Sequence, residues 1–255
     1  MLLLKTTQLI YERIWHPKVH TGVYMRIHGF QKTTLLDYPG HLAATIFFGG
    51  CNFLCPFCHN ASLVLYPDSL PAIPKEEVLA TLRKRKGILE GVCITGGEPT
   101  LEPGLADFIK EIKDLGYLIK LDTNGSNPFL LKQLISEGLL DYVAMDIKNS
   151  PEKYSDTIGK KNFSLKNISE SIQLLLNGNI EYEFRTTITK ELHIPSDFIA
   201  IGEWLKGARA YYLQSYKESE DVISPGFHSY TKDELNEIRR LLLPYVSKVE
   251  VRGVD

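Results

Sequence analysis

The chain has 255 residues, 44% of them hydrophobic, and carries 29 Lys and Arg against 31 Asp and Glu, a formal net charge of -2. That supplies enough apolar material for one large domain or two small ones, and the near-neutral balance offers no global basic field for nucleic acid or an anionic membrane. No apolar run approaches the roughly 20 residues needed to cross a bilayer, and the opening MLLLKTTQLIYERIW lacks the apolar length and small-residue cleavage site of a secretory signal, so a cytoplasmic, reducing location is expected.

From residue 42 onward, short apolar runs rich in β-branched and aromatic residues alternate with longer stretches of helical period. Strands are predicted at 42–49, 91–95, 117–122, 141–147, 180–188, 209–215 and 246–252, and helices at 74–87, 103–115, 128–138, 164–177, 196–205 and 231–243. Ser196 followed by Asp197, and Thr231 followed by Asp233 and Glu234, read as N-caps with acidic first turns, while Gly87, Gly116, Gly138 and Gly178 stand where helices should stop. Six crossover helices imply a mainly parallel sheet. With no internal repeat, low-complexity tract or linker, the chain reads as one α/β domain, either a doubly wound sheet or a barrel.

Both architectures bind ligands at the carboxyl ends of parallel strands, and the unusual residues gather there. GGCNFLCPFCHN (Gly49 to Asn60) follows the first predicted strand, GGEPT (Gly96 to Thr100) the second, DTNG (Asp122 to Gly125) the third and DIK (Asp146 to Lys148) the fourth; Arg185 lies within the fifth and Gln214 near the end of the sixth.

Three of the four cysteines, Cys51, Cys55 and Cys58, fall within eight residues of that first loop. In a reducing compartment such a cluster points to a metal or catalytic site rather than to disulfides. Structural zinc needs a fourth protein ligand, from His59, Cys93 or a distant histidine. A cubane iron-sulfur cluster held by three thiolates keeps one iron open for a substrate or cofactor. Three unligated core cysteines fit poorly in a loop punctuated by Gly49, Gly50 and Pro56.

The order Cys51-x3-Cys55-x2-Cys58 directly after a first strand, with Phe57 before the last cysteine, resembles the signature of the radical S-adenosylmethionine (SAM) enzymes, and GGEP at Gly96 to Pro99 repeats that superfamily's second motif. The resemblance implies a partial (β/α)6 barrel, one 4Fe–4S cluster on Cys51, Cys55 and Cys58, and SAM bound through its amino and carboxylate groups to the open iron. It also implies a backbone approach at Gly96 and Gly97 and a Glu98 carboxylate that accepts from the cofactor ammonium. The plain alternative is a βα turn with Glu98 favouring the next helix's positive end. Cys93, inside a strand, reads as a small core residue. Arg185 either meets the methionine carboxylate or forms a structural ion pair. Asp122, Asn124 and Asp146 point toward the same mouth, where they either bind ribose or a small cation or, for Asp122 and Asn124, shape an Asx-type turn before Gly125.

More closely, Gly29 to Asn60, together with CHN, ITGGEPTL, LDTNG and MDIK, is similar to the glycyl-radical activating enzymes, specifically the activating proteins of anaerobic ribonucleoside-triphosphate reductases. That likeness implies hydrogen abstraction from a glycine Cα of a partner enzyme; a low-potential cluster fits a flavodoxin or ferredoxin type electron donor, and the charge balance and short apolar runs point to no nucleic acid and no membrane. It covers roughly residues 25 to 255, the expected core domain. Residues 1–24 read as an N-terminal extension, with Met25 an alternative initiator. Where activases often place a histidine, this chain has Gln214. The lysine-rich loop Lys148 to Phe163 reads as a solvated charged loop, with a partner contact as the alternative, and HIPSDF and SPGFHSY as segments able to line the mouth. The rival readings are a radical SAM enzyme acting on a small molecule, of the 7-carboxy-7-deazaguanine synthase kind, and a noncatalytic zinc or iron-sulfur module.

Overall fold

The computed structural model describes residues 25–254; the expected extension at 1–24 lies outside the described residues. Eight strands form one sheet in strict chain order: β1 (Ile27–Thr34), β2 (Ala43–Phe48), β3 (Gly91–Gly96), β4 (Leu118–Thr123), β5 (Tyr142–Asp146), β6 (Glu181–Ile188), β7 (Ala210–Ser215) and β8 (Lys248–Arg252). β2 to β8 are mutually parallel and β1 returns antiparallel along β2. A doubly wound sheet reverses its strand order at a switch point. Here every crossover advances by one strand, as in a barrel, and β1 and β8 remain at opposite edges. The fold is therefore an open, partial barrel.

All seven predicted strands form, each within a few residues of its expected limits. β1 was not expected, because IHGFQKTT mixes polar and apolar residues and its middle is exposed on an edge.

Eight α-helices are described: α1 (Ala61–Leu65), α2 (Lys75–Lys84), α3 (Leu105–Asp114), α4 (Pro128–Ser136), α5 (Tyr154–Thr157), α6 (Lys166–Asn177), α7 (Pro195–Trp204) and α8 (Lys232–Leu242). Thr231 caps α8 in a capping box, its Oγ1 accepting from Glu234 N–H (3.3 Å) while Glu234 accepts from Thr231 N–H (2.7 Å). The cap expected at Ser196 is corrected. Pro195, lacking an N–H, starts α7, and the Asp197 carboxylate reaches back to Ile194 N–H (2.8 Å).

Alternate residues of each strand face the helices. Ile46, Ile94, Leu121, Val143, Phe184 and Leu213 join the apolar core there, packed against helix side chains such as Phe108, Ile109 and Ile112 of α3. Fully burying a residue such as Phe108 contributes about 1.5–3 kcal/mol. The opposite strand face, inside the barrel, is polar. Lys120, only 2% exposed, pairs with Asp122; Arg252 of β8 makes two 2.8 Å bonds to Glu183, which also accepts from Tyr142 Oη (3.0 Å). Charges this deep are tolerated because each has an opposite partner.

Candidate active site at the carboxyl ends of the strands

A cavity of about 430 Å³ opens at the carboxyl ends of the parallel strands, lined by the segment that follows β2 and by residues of β3 through β7 and their loops. Cys51, Cys55, Cys58, Gly96, Gly97, Asp122, Asn124, Arg185 and Gln214 all line it. Glu98 does not.

The cysteine loop leaves β2 and is held from three sides. Beneath it, Leu54 N–H donates to Ile158 O (2.9 Å), and Phe53 packs edge-on against Tyr154 and Phe163. The lysine-rich stretch 148–163 is thus a packed support carrying α5, not a solvated loop. Its buried Asn149, Ser150 and Tyr154 settle the point, and Lys148 lines the cavity. HIPSDF and SPGFHSY likewise buttress the loop instead of lining the mouth: His193 and Phe227 both contact the Phe57 ring, and Ser224 N–H donates to Pro56 O (2.8 Å). Toward β3, Gly97 N–H donates to Phe48 O and Glu98 N–H to Gly50 O, both at 2.8 Å, and Asn60 Nδ2 donates to Gly96 O (2.9 Å).

The two GGEP glycines are required by this approach. Gly96 has φ +126°, and a β-carbon on either glycine would collide with the backbone of Phe48 or Gly50. Glu98, 1% exposed, is turned away from the cavity. Its Oε1 accepts from Thr100 N–H (3.1 Å), Thr100 Oγ1 (2.5 Å) and Thr123 Oγ1 (2.8 Å), and its Oε2 from Asn124 N–H (2.6 Å). Burial raises the carboxyl pKa against these four bonds, which lower it. In this structure the Glu98 side chain ties the β3 and β4 loops together, and the motif faces the cavity through Gly96 and Gly97.

Arg185 lies between two carboxylates, with Nε 2.5 Å from Asp146 and Nη2 3.1 Å from Asp122; Lys148 adds a 2.9 Å bond to Asp146. Burial alone would raise both carboxyls, but Arg185, with Lys120 beside Asp122 and Lys148 beside Asp146, holds them below the usual range. A methionine carboxylate would have to compete with these pairs for Arg185. Asp37, which the sequence reading did not single out, also lines the cavity and accepts from Thr45 Oγ1 (2.5 Å); nothing in its local sequence marks it as facing inward.

The three thiols are unpaired, and burial pushes each one's pKa up, Cys55 to about 12. Three thiols facing one cavity supply three anchors for a cubane iron-sulfur cluster, whereas a closed tetrahedral zinc needs a fourth protein ligand. Cys93 is fully buried inside the barrel, its Sγ 3.7 Å from Lys120 Nζ, and does not line the cavity.

Fold and site together define an α/β partial barrel with three thiols and a glycine-rich strand end at its mouth. Residues 45–193, more than half of the chain, match the Radical SAM superfamily, and the chain belongs to that superfamily, whose members use a 4Fe–4S cluster and SAM. It is 29% identical over 236 residues to a Methanocaldococcus jannaschii protein named "Putative glycyl-radical enzyme activating enzyme", covering 90% of this chain and 96% of that one. It is 31% identical over 134 residues to the pyruvate formate-lyase-activating enzyme of Clostridium pasteurianum, covering 49% of this chain and 52% of that one. It is also 31% identical over 168 residues to the 7-carboxy-7-deazaguanine synthase of Thermococcus kodakarensis, covering 58% and 64% respectively. Streptococcus suis SuiB bound to S-adenosylmethionine superposes with a TM-score of 0.61 at 16% identity, over 80% of this chain and 48% of that one, a likeness of fold. Among the described residues no helix is long and apolar enough to cross a membrane.

Proposed function

We propose that this chain is a glycyl-radical enzyme activating enzyme, and that Cys51, Cys55 and Cys58 anchor its cluster. The observation that carries the reading is the match, over nearly the whole of both chains, to the M. jannaschii protein of that name. When bound, the cluster and SAM supply a 5′-deoxyadenosyl radical that removes a hydrogen atom from a substrate. The chain's residues do the rest. Gly96 and Gly97 bring backbone to the cavity wall, Asp122 and Asp146 orient Arg185 at its rim, and Phe53 and Phe57 seal the underside of the cysteine loop against water. The substrate is a glycine Cα in a partner enzyme. The likeness of Gly29 to Asn60 favours an anaerobic ribonucleoside-triphosphate reductase as that partner and a flavodoxin or ferredoxin type donor, with a cytoplasmic setting.

The test is anaerobic reconstitution, iron and sulfide counting, and a dithionite-driven assay for 5′-deoxyadenosine. About four iron and four sulfide per chain, product formation, and a glycyl radical signal appearing on the reductase support the reading. Zinc without sulfide would return the cysteines to a structural role. The match to 7-carboxy-7-deazaguanine synthase favours one second reading, a small-molecule substrate. Turnover of such a molecule with no protein partner present would establish it.

A further inference from the structure

Asn124 is 4% exposed and lines the cavity beside Cys51. Its carboxamide orientation is fixed by its neighbours. Ser126 N–H, a donor only, lies 2.9 Å from one terminal atom, so that atom is the oxygen Oδ1. The other atom must be the NH2 group, which has two hydrogens to place. It donates to Asn52 Oδ1 at 2.9 Å and lies 3.8 Å from Cys51 Sγ. Asn52 is held in turn, its Nδ2 donating to Ser126 Oγ (2.9 Å). Every hydrogen-bonding atom of the Asn124 amide is therefore engaged by protein, and the second N–H is directed at a thiol. Phe53 N–H approaches the same sulfur at 3.4 Å.

From this geometry we infer that Asn124 is a tuning residue for the cluster: its side-chain N–H hydrogen-bonds the Cys51 thiolate and raises the cluster's reduction potential. Hydrogen bonds to ligand sulfurs are among the factors that set iron-sulfur potentials. The physical reason is charge. Adding an electron makes the cluster and its thiolates more negative, so a donor at sulfur stabilises the reduced form more than the oxidised one. The arrangement couples the ligand to the β4 loop, because Asn124 N–H itself is held by Glu98. The inference rests on Cys51 being a cluster ligand, which iron and sulfide counting tests separately.

The experiment is a dithionite redox titration, followed by EPR, of the reconstituted wild type and Asn124→Ser. A serine can still accept from Ser126 N–H and keep the turn, but it is too short to reach Sγ. The expected result is unchanged iron and sulfide content with a reduction equilibrium about tenfold less favourable, a fall of about 59 mV for one electron. An unchanged potential in a fully loaded variant overturns the inference. Should Asn124→Ser fail to hold the cluster, pulsed EPR of the reduced wild type labelled with amide-15N asparagine decides: a 15N coupling supports the bond, and its absence overturns it.

Discussion

Gly97 lies directly against the backbone carbonyl of Gly50, so closely that a β-carbon at Gly97 would overlap the Gly50 oxygen. The contact joins the cysteine loop to β3, and its far side is backbone that cannot swing away as a flexible side chain could. Gly97→Ala should therefore force the two loops apart. Overpacking of this kind costs about 1–3 kcal/mol, and here the strain falls on the segment that positions Cys51. The expected outcome is a lower urea midpoint together with iron content well below that of the wild type after identical reconstitution. A variant with full iron content and wild-type stability would show that the loops separate freely.

Cys93→Ala should have a different effect. The residue is buried inside the barrel against Lys120, on the floor below the cavity, and contributes packing rather than ligation. Removing one buried sulfur should cost about 1 kcal/mol, in the range of a small core truncation. Iron, sulfide and cleavage of SAM should match the wild type, whereas Cys51→Ala, Cys55→Ala and Cys58→Ala should each abolish cleavage. Metal analysis alongside the cleavage assay distinguishes these outcomes.

The succession of strands and helices and the cavity's position were legible because both follow from local patterns, whereas the strand order, which separates a barrel from a doubly wound sheet, was implied only by the family resemblance. Apolar strands alternate with helical stretches, and the residues with special chemistry stand immediately after the strands. The polar interior could not be located as easily. Lys120 and Asp122 alternate with Ile119 and Leu121, a period of two that does mark two unlike faces, but only the ion pairs to Arg185 show that the polar face points inward. Glu98 illustrates a second limit. A motif carboxylate reads as a ligand, yet two of its four donors, Thr123 Oγ1 and Asn124 N–H, belong to residues whose proximity depends on β3 and β4 lying side by side. The support given by 148–163 was hidden for a similar reason, since its lysines suggest solvent while its buried Tyr154 and Ile158 meet the cysteine loop only in the fold.

His193 gives the site a pH dependence. The ring is buried beside Phe57, its Nε2 2.9 Å from Lys148 O and its Nδ1 accepting from Thr189 N–H at 3.2 Å. A neutral ring with the proton on Nε2 satisfies both bonds, and Nδ1 also lies 3.3 Å from Thr189 O. Burial lowers its pKa below the ordinary 6.5, against the hydrogen bonds to Lys148 O and Thr189 O, which raise it. A group with a depressed folded pKa contributes stability that is fully present above the unfolded value and is lost as pH falls toward the folded one. The urea midpoint should thus drop between pH 7.5 and pH 5.5. His193→Gln, which can still donate to Lys148 O but does not titrate, should flatten that drop while losing some stability at pH 7.5. An equally steep drop in the variant would assign the pH dependence to other groups.

The segment after β7 covers the cysteine loop. Residues 217–228 fold back over the cysteine loop although they lie some 160 positions along the chain. Asp221 accepts from Ser62 N–H (3.1 Å) and Ser62 Oγ (2.8 Å), Ala61 N–H donates to Asp221 O (3.3 Å), and His59 bonds Lys217 O (2.5 Å) while stacking on Tyr216. Ile223 N–H meets Cys58 O (3.3 Å), so the strap touches an expected ligand residue. Most of these bonds are exposed, and exposed bonds open locally at little free-energy cost. If oxygen reaches the cluster by such opening, the bleaching rate follows the open population. Asp221→Ala removes two side-chain bonds, each worth about 0.5–1.5 kcal/mol. A loss of about 1.4 kcal/mol raises the open population tenfold. The variant should therefore bleach in air several-fold to about tenfold faster than the wild type, read from the decay of cluster absorbance. Its anaerobic iron content and global urea midpoint should change little, because the bonds lost reach only the short helix α1 and leave the sheet and the longer helices untouched. Equal bleaching rates would mean that oxygen enters through the open mouth of the barrel, and the strap would then be a structural tie with no shielding role.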